Sequence, residues 1–243
     1  MEENKHTVRA VERALDILLC FTESKELSLT EISHQVSLNK STVYRLLASL
    51  EGKGFLIRDK MTDKYRLGFR LWELSANLVR DDDPAILFLP EMERIRDLIG
   101  ETISLYVRDG LERIRIQAVE GNQAIRRVAP IGVRMPLTVG ASSKVLVAFS
   151  EEIDLNDFKW PETVDQQKYT EQLKRIREAG FATSAEEREQ GTAAIAAPVF
   201  NRHGKVICAL CVSGPVSRLT IDKMLEIAPL VMDSAKRMGR IAR

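Results

Sequence analysis

The 243-residue sequence predicts an α+β protein with two domains, a small winged helix-turn-helix and a larger sheet-and-helix unit, joined by a linker helix. Three observations predict this. A capped helix pair at Ser28–Gly54 runs straight into two short basic strands. A charged break, Asp81-Asp82-Asp83-Pro84, marks a change of texture. Beyond it, apolar runs of strand length alternate with amphipathic helices and turn signals, the texture of antiparallel strands flanked by helices and not of a doubly wound sheet. The division this predicts is residues 1–68, a linker at 69–83 and a second domain at 84–243.

Residues 1–6 read as a disordered start. Val8, Val11, Ala14, Leu15, Leu18 and Leu19 recur at helical spacing and predict a first helix that ends near Phe21 and packs behind the helix pair. Ser28 with Glu31 three residues on is a capping box, so the next helix should start at Leu29, with Leu29, Ile32 and Val36 on its apolar face. Asn39 can cap the following helix, whose buried stripe is Val43, Leu46, Leu47 and Leu50 and whose end is marked by Gly52 and Gly54.

Lys40, Ser41, Thr42, Tyr44 and Arg45 lie off that stripe, in the first turns of the second helix. The N-terminal end of a recognition helix enters the major groove, and hydroxyls, amides and guanidinium groups bond phosphates and base edges. Asn39 and these five residues are therefore candidate contacts to double-stranded DNA; from them alone, an ordinary helix corner with a solvated face is an equal reading. The next segment favours DNA. Phe55–Arg58, Asp59–Asp63 and Lys64–Leu67 read as strand, turn and strand, a wing whose Arg58, Lys60, Lys64 and Arg66 are placed to meet phosphates.

The formal net charge is only +1, and residues 1–80 carry 13 Lys/Arg against 11 Asp/Glu, so binding must come from placed charges and from more than one copy of the module. A hydrophobic content of 44% is ample for two folded cores. Three cysteines without a framework, no signal peptide and no apolar run of about 20 residues point to the cytoplasm and away from a membrane.

After the wing, Gly68 opens an amphipathic run from Phe69 to Val79 whose Leu71, Trp72, Leu74 and Leu78 exceed what a lone short helix buries, so a second subunit or the next domain should cover it. From Pro84 a helix should carry Ile86, Leu89, Met92, Ile95 and Leu98 up to Gly100. Thr102–Val107 and Ile114–Val119 read as a hairpin about Arg108-Asp109-Gly110, and Ile125–Val128 as a third strand. Further helices are expected at Ala141–Phe149, Tyr169–Ala179 and Ile221–Arg240, and strands at Ala193–Phe200 and Val206–Val212.

Enzyme signatures are missing: there is no Walker loop, dinucleotide fingerprint, GxSxG or HExxH, and no cofactor is implied. Cys208 and Cys211 would face opposite sides of a strand, which disfavours a redox pair or zinc knuckle. Ser142-Ser143-Lys144 has the residue types of a Ser/Lys nucleophile but nothing around it to support one. Gly140 to Ser143 opens a helix, and free helix N-terminal amides bind carboxylates; a simple cap is the plain alternative. On the late strand Ala209, Cys211 and Ser213 share a small, mildly polar face that could line a pocket for a small acid or serve as a packing face.

Taken together, these segments strongly resemble the IclR (isocitrate lyase regulator) family of bacterial transcription factors, from Val8 to about Arg240. The residues that carry the resemblance are the opening Val8–Phe21, the LSLTEIS helix and the LNKSTVYRLL run. They continue with Pro136-Leu137 before the helix at Gly140–Ala148, Ile176–Phe181, EEREQGTAAIAAPVF at Glu186–Phe200, and Val212-Ser213-Gly214-Pro215. The resemblance implies a winged helix-turn-helix, a linker helix and a GAF/PAS-like effector-binding domain. It implies homodimers, usually paired into homotetramers, on pseudo-palindromic operators. It further implies repression more often than activation, and a small organic or aromatic acid effector held by Ala141, Ser142, Ser184, Ala194, Cys211 and Ser213. Glyoxylate- or pyruvate-responsive members have an acidic residue at Ser184, cysteine at Ala194 and serine at Cys211; the departures predict a different effector, larger or less polar. Activation of a catabolic operon is the alternative, and a small-molecule module using its helix-turn-helix only for assembly a more distant one.

Overall fold

The N-terminal helix pair begins where its caps put it. Ser28 Oγ accepts the Glu31 amide at 3.3 Å and the Glu31 carboxylate accepts the Ser28 N–H at 2.7 Å, which starts α2 (Leu29–Gln35) at Leu29. These contacts come from a computed structural model that describes residues 7–22, 24–76, 83–126, 130–150 and 153–242. The chain separates between residues 80 and 81 into two units, each with its own core.

In the first unit α1 (Arg9–Leu19), α2 and α3 (Lys40–Gly52) surround Ile17, Ile32, Val43 and Leu47, all fully buried. The antiparallel strands β2 (Leu56–Arg58) and β3 (Lys64–Leu67) form the wing, and β1 (Leu27–Ser28) adds to the other edge of β3. One expectation fails here. Val8, Val11, Leu15 and Leu19 do not pack behind the helix pair; each is more than half exposed. Ile17 enters the core from the opposite side of α1, with Ala14 and Leu18 partly buried beside it, so the stripe visible in the sequence is an outward-facing one.

The helix α4 (Phe69–Ala76) starts after Gly68, whose N–H donates to the Phe55 carbonyl at 2.7 Å. A Cβ on Gly68 would stand 2.1 Å from the Gly54 carbonyl oxygen, so only glycine lets the wing return this closely to the end of α3. Phe69 and Trp72 are each 72% exposed. The sequence reading carries this helix to Val79; residues 77–82 lie outside the described residues.

The second unit is a six-stranded antiparallel sheet covered on both faces. Its strands are β4 (Thr102–Asp109), β5 (Glu112–Val119), β6 (Arg134–Pro136), β7 (Ala182–Ala185), β8 (Thr192–Phe200) and β9 (Val206–Pro215), in the order β6-β5-β4-β9-β8-β7. The helices α6 (Leu89–Ile99) and α9 (Ile221–Ile241) cover one face, and α7 (Ala141–Ala148) and α8 (Gln166–Ala179) cover the other. Strand alternation sends Cys208, Leu210 and Val212 to the first face and Ala209 and Cys211 to the second, so the two thiols are separated by the sheet.

Two further expectations are corrected. The single helix before Gly100 is two, α5 (Pro84–Leu87) and α6, because Pro90 offers no N–H to the carbonyl ladder. Phe88 at the break is fully buried, while Ile86 and Leu98 are each 59% exposed. No strand forms at Ile125 and Arg126: Ile125 is 73% exposed and its carbonyl accepts from Arg218, while β6 pairs with β5 as the third strand of this side; the rest of the expected strand lies outside the described residues.

Gly68→Ala should destabilise the winged unit by about 1–3 kcal/mol, the usual cost of forcing an extra methyl group into packed structure, read as a lower denaturant midpoint at unchanged slope.

Candidate functional site

Asn39 Oδ1 accepts the Thr42 amide at 2.9 Å and the Ser41 hydroxyl at 3.0 Å, which sets the start of α3 and spends the Asn39 oxygen on the cap. Lys40, Ser41, Tyr44 and Arg45 are exposed on one end of the helix, with Thr42 partly covered. The described ion pairs of this unit, Arg58–Asp63 and Arg70–Glu73, leave Lys40 and Arg45 out. In the wing, Lys60 is exposed and Lys64 half-buried. Arg58 is different from expectation: it forks onto Asp63 at 3.0 and 2.9 Å and lies over the Tyr65 ring, so its charge is already balanced within the hairpin.

In the second unit the six expected effector positions converge. Ala141, Ser142, Ser184, Ala194, Cys211 and Ser213 all line one small cavity of about 40 Å³ between the sheet and the start of α7. The register explains how. Ser184 pairs with Ala194, Ala194 with Ser213 and Ser213 with Thr102, a row across four strands, and Cys211 sits one step along on the same face. Val212-Ser213-Gly214-Pro215 is held from outside: Glu101, 5% exposed, is forked by Arg218 at 2.6 and 2.9 Å, and a Cβ on Gly214 would meet that carboxylate at 2.5 Å.

The helix side of the cavity is anchored by a group the sequence did not offer as a site residue. Arg113 lines the cavity at 3% exposure and donates to the Val139 carbonyl at 2.8 Å and the Pro136 carbonyl at 3.4 Å. Burial pulls its pKa below the usual arginine range; Tyr106 and Cys211 act the other way, and Arg188 and Arg115 add repulsion. Ser143 donates to the Pro136 carbonyl and the Tyr169 hydroxyl to the Leu137 carbonyl, so the segment before α7 is pinned from three directions. Gly140, at φ +92°, turns into the helix with an ideal Cβ position only 3.3 Å from Arg113 Nη2. The amides of Ala141, Ser142 and Ser143, the first turn of α7, have no intrahelical acceptor.

A carboxylate of the chain itself stands at this helix start. Glu187 accepts the Gly140 amide at 3.1 Å and the ammonium of Lys144, which is 4% exposed. Lys144 on Glu187 and Ser143 on a carbonyl are not arranged as a nucleophile and its base. Ser213 Oγ and Arg113 Nε, both buried, have no hydrogen-bond partner. The lining therefore combines a buried guanidinium with several hydroxyls.

Comparison with known proteins places these geometries. Residues 10–60 match the IclR helix-turn-helix domain and residues 78–240 match the bacterial transcriptional regulator IclR C-terminal domain. This chain belongs to the IclR family. Among curated members it is 35% identical to the HTH-type transcriptional regulator XynR of Escherichia coli K12, over 96% of both chains. It is 31% identical to the HTH-type transcriptional repressor AllR of the same strain, over 94% of this chain and 88% of that one. An IclR homologue from Microbacterium hydrocarbonoxydans, solved with 4-hydroxybenzoate, has the same fold at a TM-score of 0.81 and 24% identity, over 95% of this chain and 99% of that one. The chain is thus a DNA-binding transcriptional regulator of the helix-turn-helix type, and its relatives are regulators, not enzymes. Among the described residues no helix is long and apolar enough to cross a membrane.

The IclR-family motifs pointed to the small residues of the cavity and passed over its charged ones. Arg113 and Arg115 sit in Glu112–Val119, where a sequence reading takes arginines on an alternating strand for its solvent side. Glu187→Ala should cost about 3 kcal/mol of stability, the low end for stranding a buried charge, because it strips Lys144 of its carboxylate while Glu187 itself is 30% exposed. Glu187→Gln, which keeps an acceptor for Gly140, should lose less, and urea unfolding of both variants checks the order.

Proposed function

We propose that this IclR-family regulator binds a pseudo-palindromic operator as a homodimer, paired further into a tetramer, and releases it when a small organic acid enters the cavity at α7. The observation that carries the acid site is the convergence of α7, β7, β8 and β9 on one cavity where a helix start, a buried guanidinium and an unpaired hydroxyl meet. Anions bind such a place through backbone amides and charge-assisted bonds. The bound 4-hydroxybenzoate of the Microbacterium homologue supports the acid class, and the repressor name of AllR supports repression.

DNA contacts are assigned to Asn39, Lys40, Ser41, Thr42, Tyr44 and Arg45 in the groove, with Lys60 and Lys64 on the backbone. Arg58 joins them by exchanging Asp63 for a phosphate. Two recognition helices must stand about 34 Å apart to read half-sites one turn apart, which requires a second copy. The outward stripe of α1 and the exposed Phe69, Trp72 and Leu74 supply apolar surface for that pairing. A chromosomal target puts the protein in the cytoplasm.

The test is a fluorescence titration of DNA from directly upstream of the protein's own coding region, with and without a panel of short carboxylic acids; salt-sensitive binding that no acid alters would remove the effector half of the proposal. Arg45→Ala should weaken operator binding by about 1–3 kcal/mol, the worth of one good base contact, and unchanged affinity at physiological salt would remove α3 as the reading helix. Ser213→Leu should leave operator affinity intact and shift the acid response at least about tenfold, since a leucine overfills the cavity; a normal response would take Ser213 out of the site.

A further inference from the structure

The charges buried around the α7 cavity do not balance. Arg113, Arg115 and Lys144 are 3%, 1% and 4% exposed, and only Lys144 has a carboxylate, that of Glu187. The other two have neutral partners. Arg113 donates to two carbonyls and the Met135 thioether, and Arg115 to the Tyr106 hydroxyl. Both guanidinium carbons lie over the Tyr106 ring, 5.3 and 5.0 Å from its centre, and each group keeps an Nε without an acceptor. Tyr106 and Arg113 line the cavity, so one of these charges stands at its wall and the other lies against Tyr106.

Magnitudes decide what would neutralise it. Carbonyl and phenol oxygens satisfy N–H groups but cancel no charge, and unpaired buried ions are costly enough that proteins pair them. The open end of α7 adds roughly half a positive charge. A single carboxylate would therefore leave more than one positive charge buried around the bound acid. Resting on the acid-site reading above, we infer that the effector is a short dianion. One anionic group meets the first amides of α7 and the Ser213 hydroxyl; the other meets Arg113, with Tyr106 and Arg115 behind it.

Size agrees with a short ligand. The cavity of about 40 Å³ has room for a few waters and falls far below the ~300 Å³ of an ordinary ligand pocket, so entry requires the wall to give. Glu187 and Arg188 form the wall on the exposed turn between β7 and β8, and entry has to displace Glu187 from Gly140 and Lys144.

The experiment titrates the full-length protein calorimetrically with two pairs of probes: succinate against succinamate, and malonate against malonamate. In at least one pair the dianion should bind at least about tenfold more tightly, as expected for an added charge-assisted contact in a desolvated site. Arg113→Met should erase that preference, and Arg113→Lys, which keeps the charge, should retain part of it. Equal or tighter binding of the monoanions to the unmodified protein overturns the dianion inference alone and does not depend on any variant folding. Failure of all four probes to bind overturns it together with the acid-site reading.

Discussion

Burying the Arg113 guanidinium beneath the start of α7 is the constraint from which the regulatory unit's site follows. The group reaches the carbonyls of Pro136 and Val139, so the segment entering α7 has to turn around it. Gly140 makes that turn in a left-handed conformation with no side chain to crowd the guanidinium. The helix that follows then opens its unpaired amides toward β8 and β9 and not toward solvent. Taking an arginine out of water costs several kcal/mol, and hydrogen bonds to carbonyls offset only part of it. A chain selected for stability alone would place an apolar residue there. A costly charge beside unpaired hydroxyls is what the proposed acid site rests on.

The strand register completes the arrangement. Ser184, Ala194, Ser213 and Thr102 form one row across the sheet, so residues up to 111 positions apart present small side chains side by side. Small groups matter here because α7 lies directly on this face and any larger side chain would fill the space under it. The Glu101–Arg218 pair at the end of β9 works from the edge. It fits only because residue 214 is glycine, and it fixes the strand end that carries Ser213. The family motif Val212–Pro215 thus has a mechanical content: one residue faces the cavity and the next makes room for the clamp that holds it.

Much of this was legible in the sequence, for physical reasons that differ by element. The capping box of Ser28 and Glu31 and the cap at Asn39 are local devices, and they fixed where α2 and α3 start. Alternation alone separated Cys208 from Cys211. The failures share another cause, since each required knowing what lies across from the segment. The α1 stripe of Val8, Val11, Leu15 and Leu19 has helical period, but period does not say which side faces the core, and Ile17 on the opposite side does. Ile125 is apolar in a β-like run yet has no strand beside it. Arg113 and Arg115 look like solvent residues until α7 covers them. β7, four small residues long, carries too little pattern to be read at all.

Regulation requires that a ligand distinguish two states, because one that binds both equally shifts neither. In the proposed acid site that distinction comes from the size of the cavity. A space of about 40 Å³ holds a few waters and is small for an organic acid, so in the proposed site binding displaces Glu187 from the helix start. In the proposed site the ligand binds the opened form, and its binding free energy beyond the opening cost is what biases the equilibrium. Glu187 sets that cost, since opening breaks its bonds to Gly140 and Lys144 and strands a buried ammonium. An entering anion that takes over the Gly140 amide and the Lys144 ammonium restores what opening removes. A neutral molecule of equal size restores none of it, so in the proposed site the pair formed by Lys144 and Glu187 selects for charge before any contact with Arg113 is made.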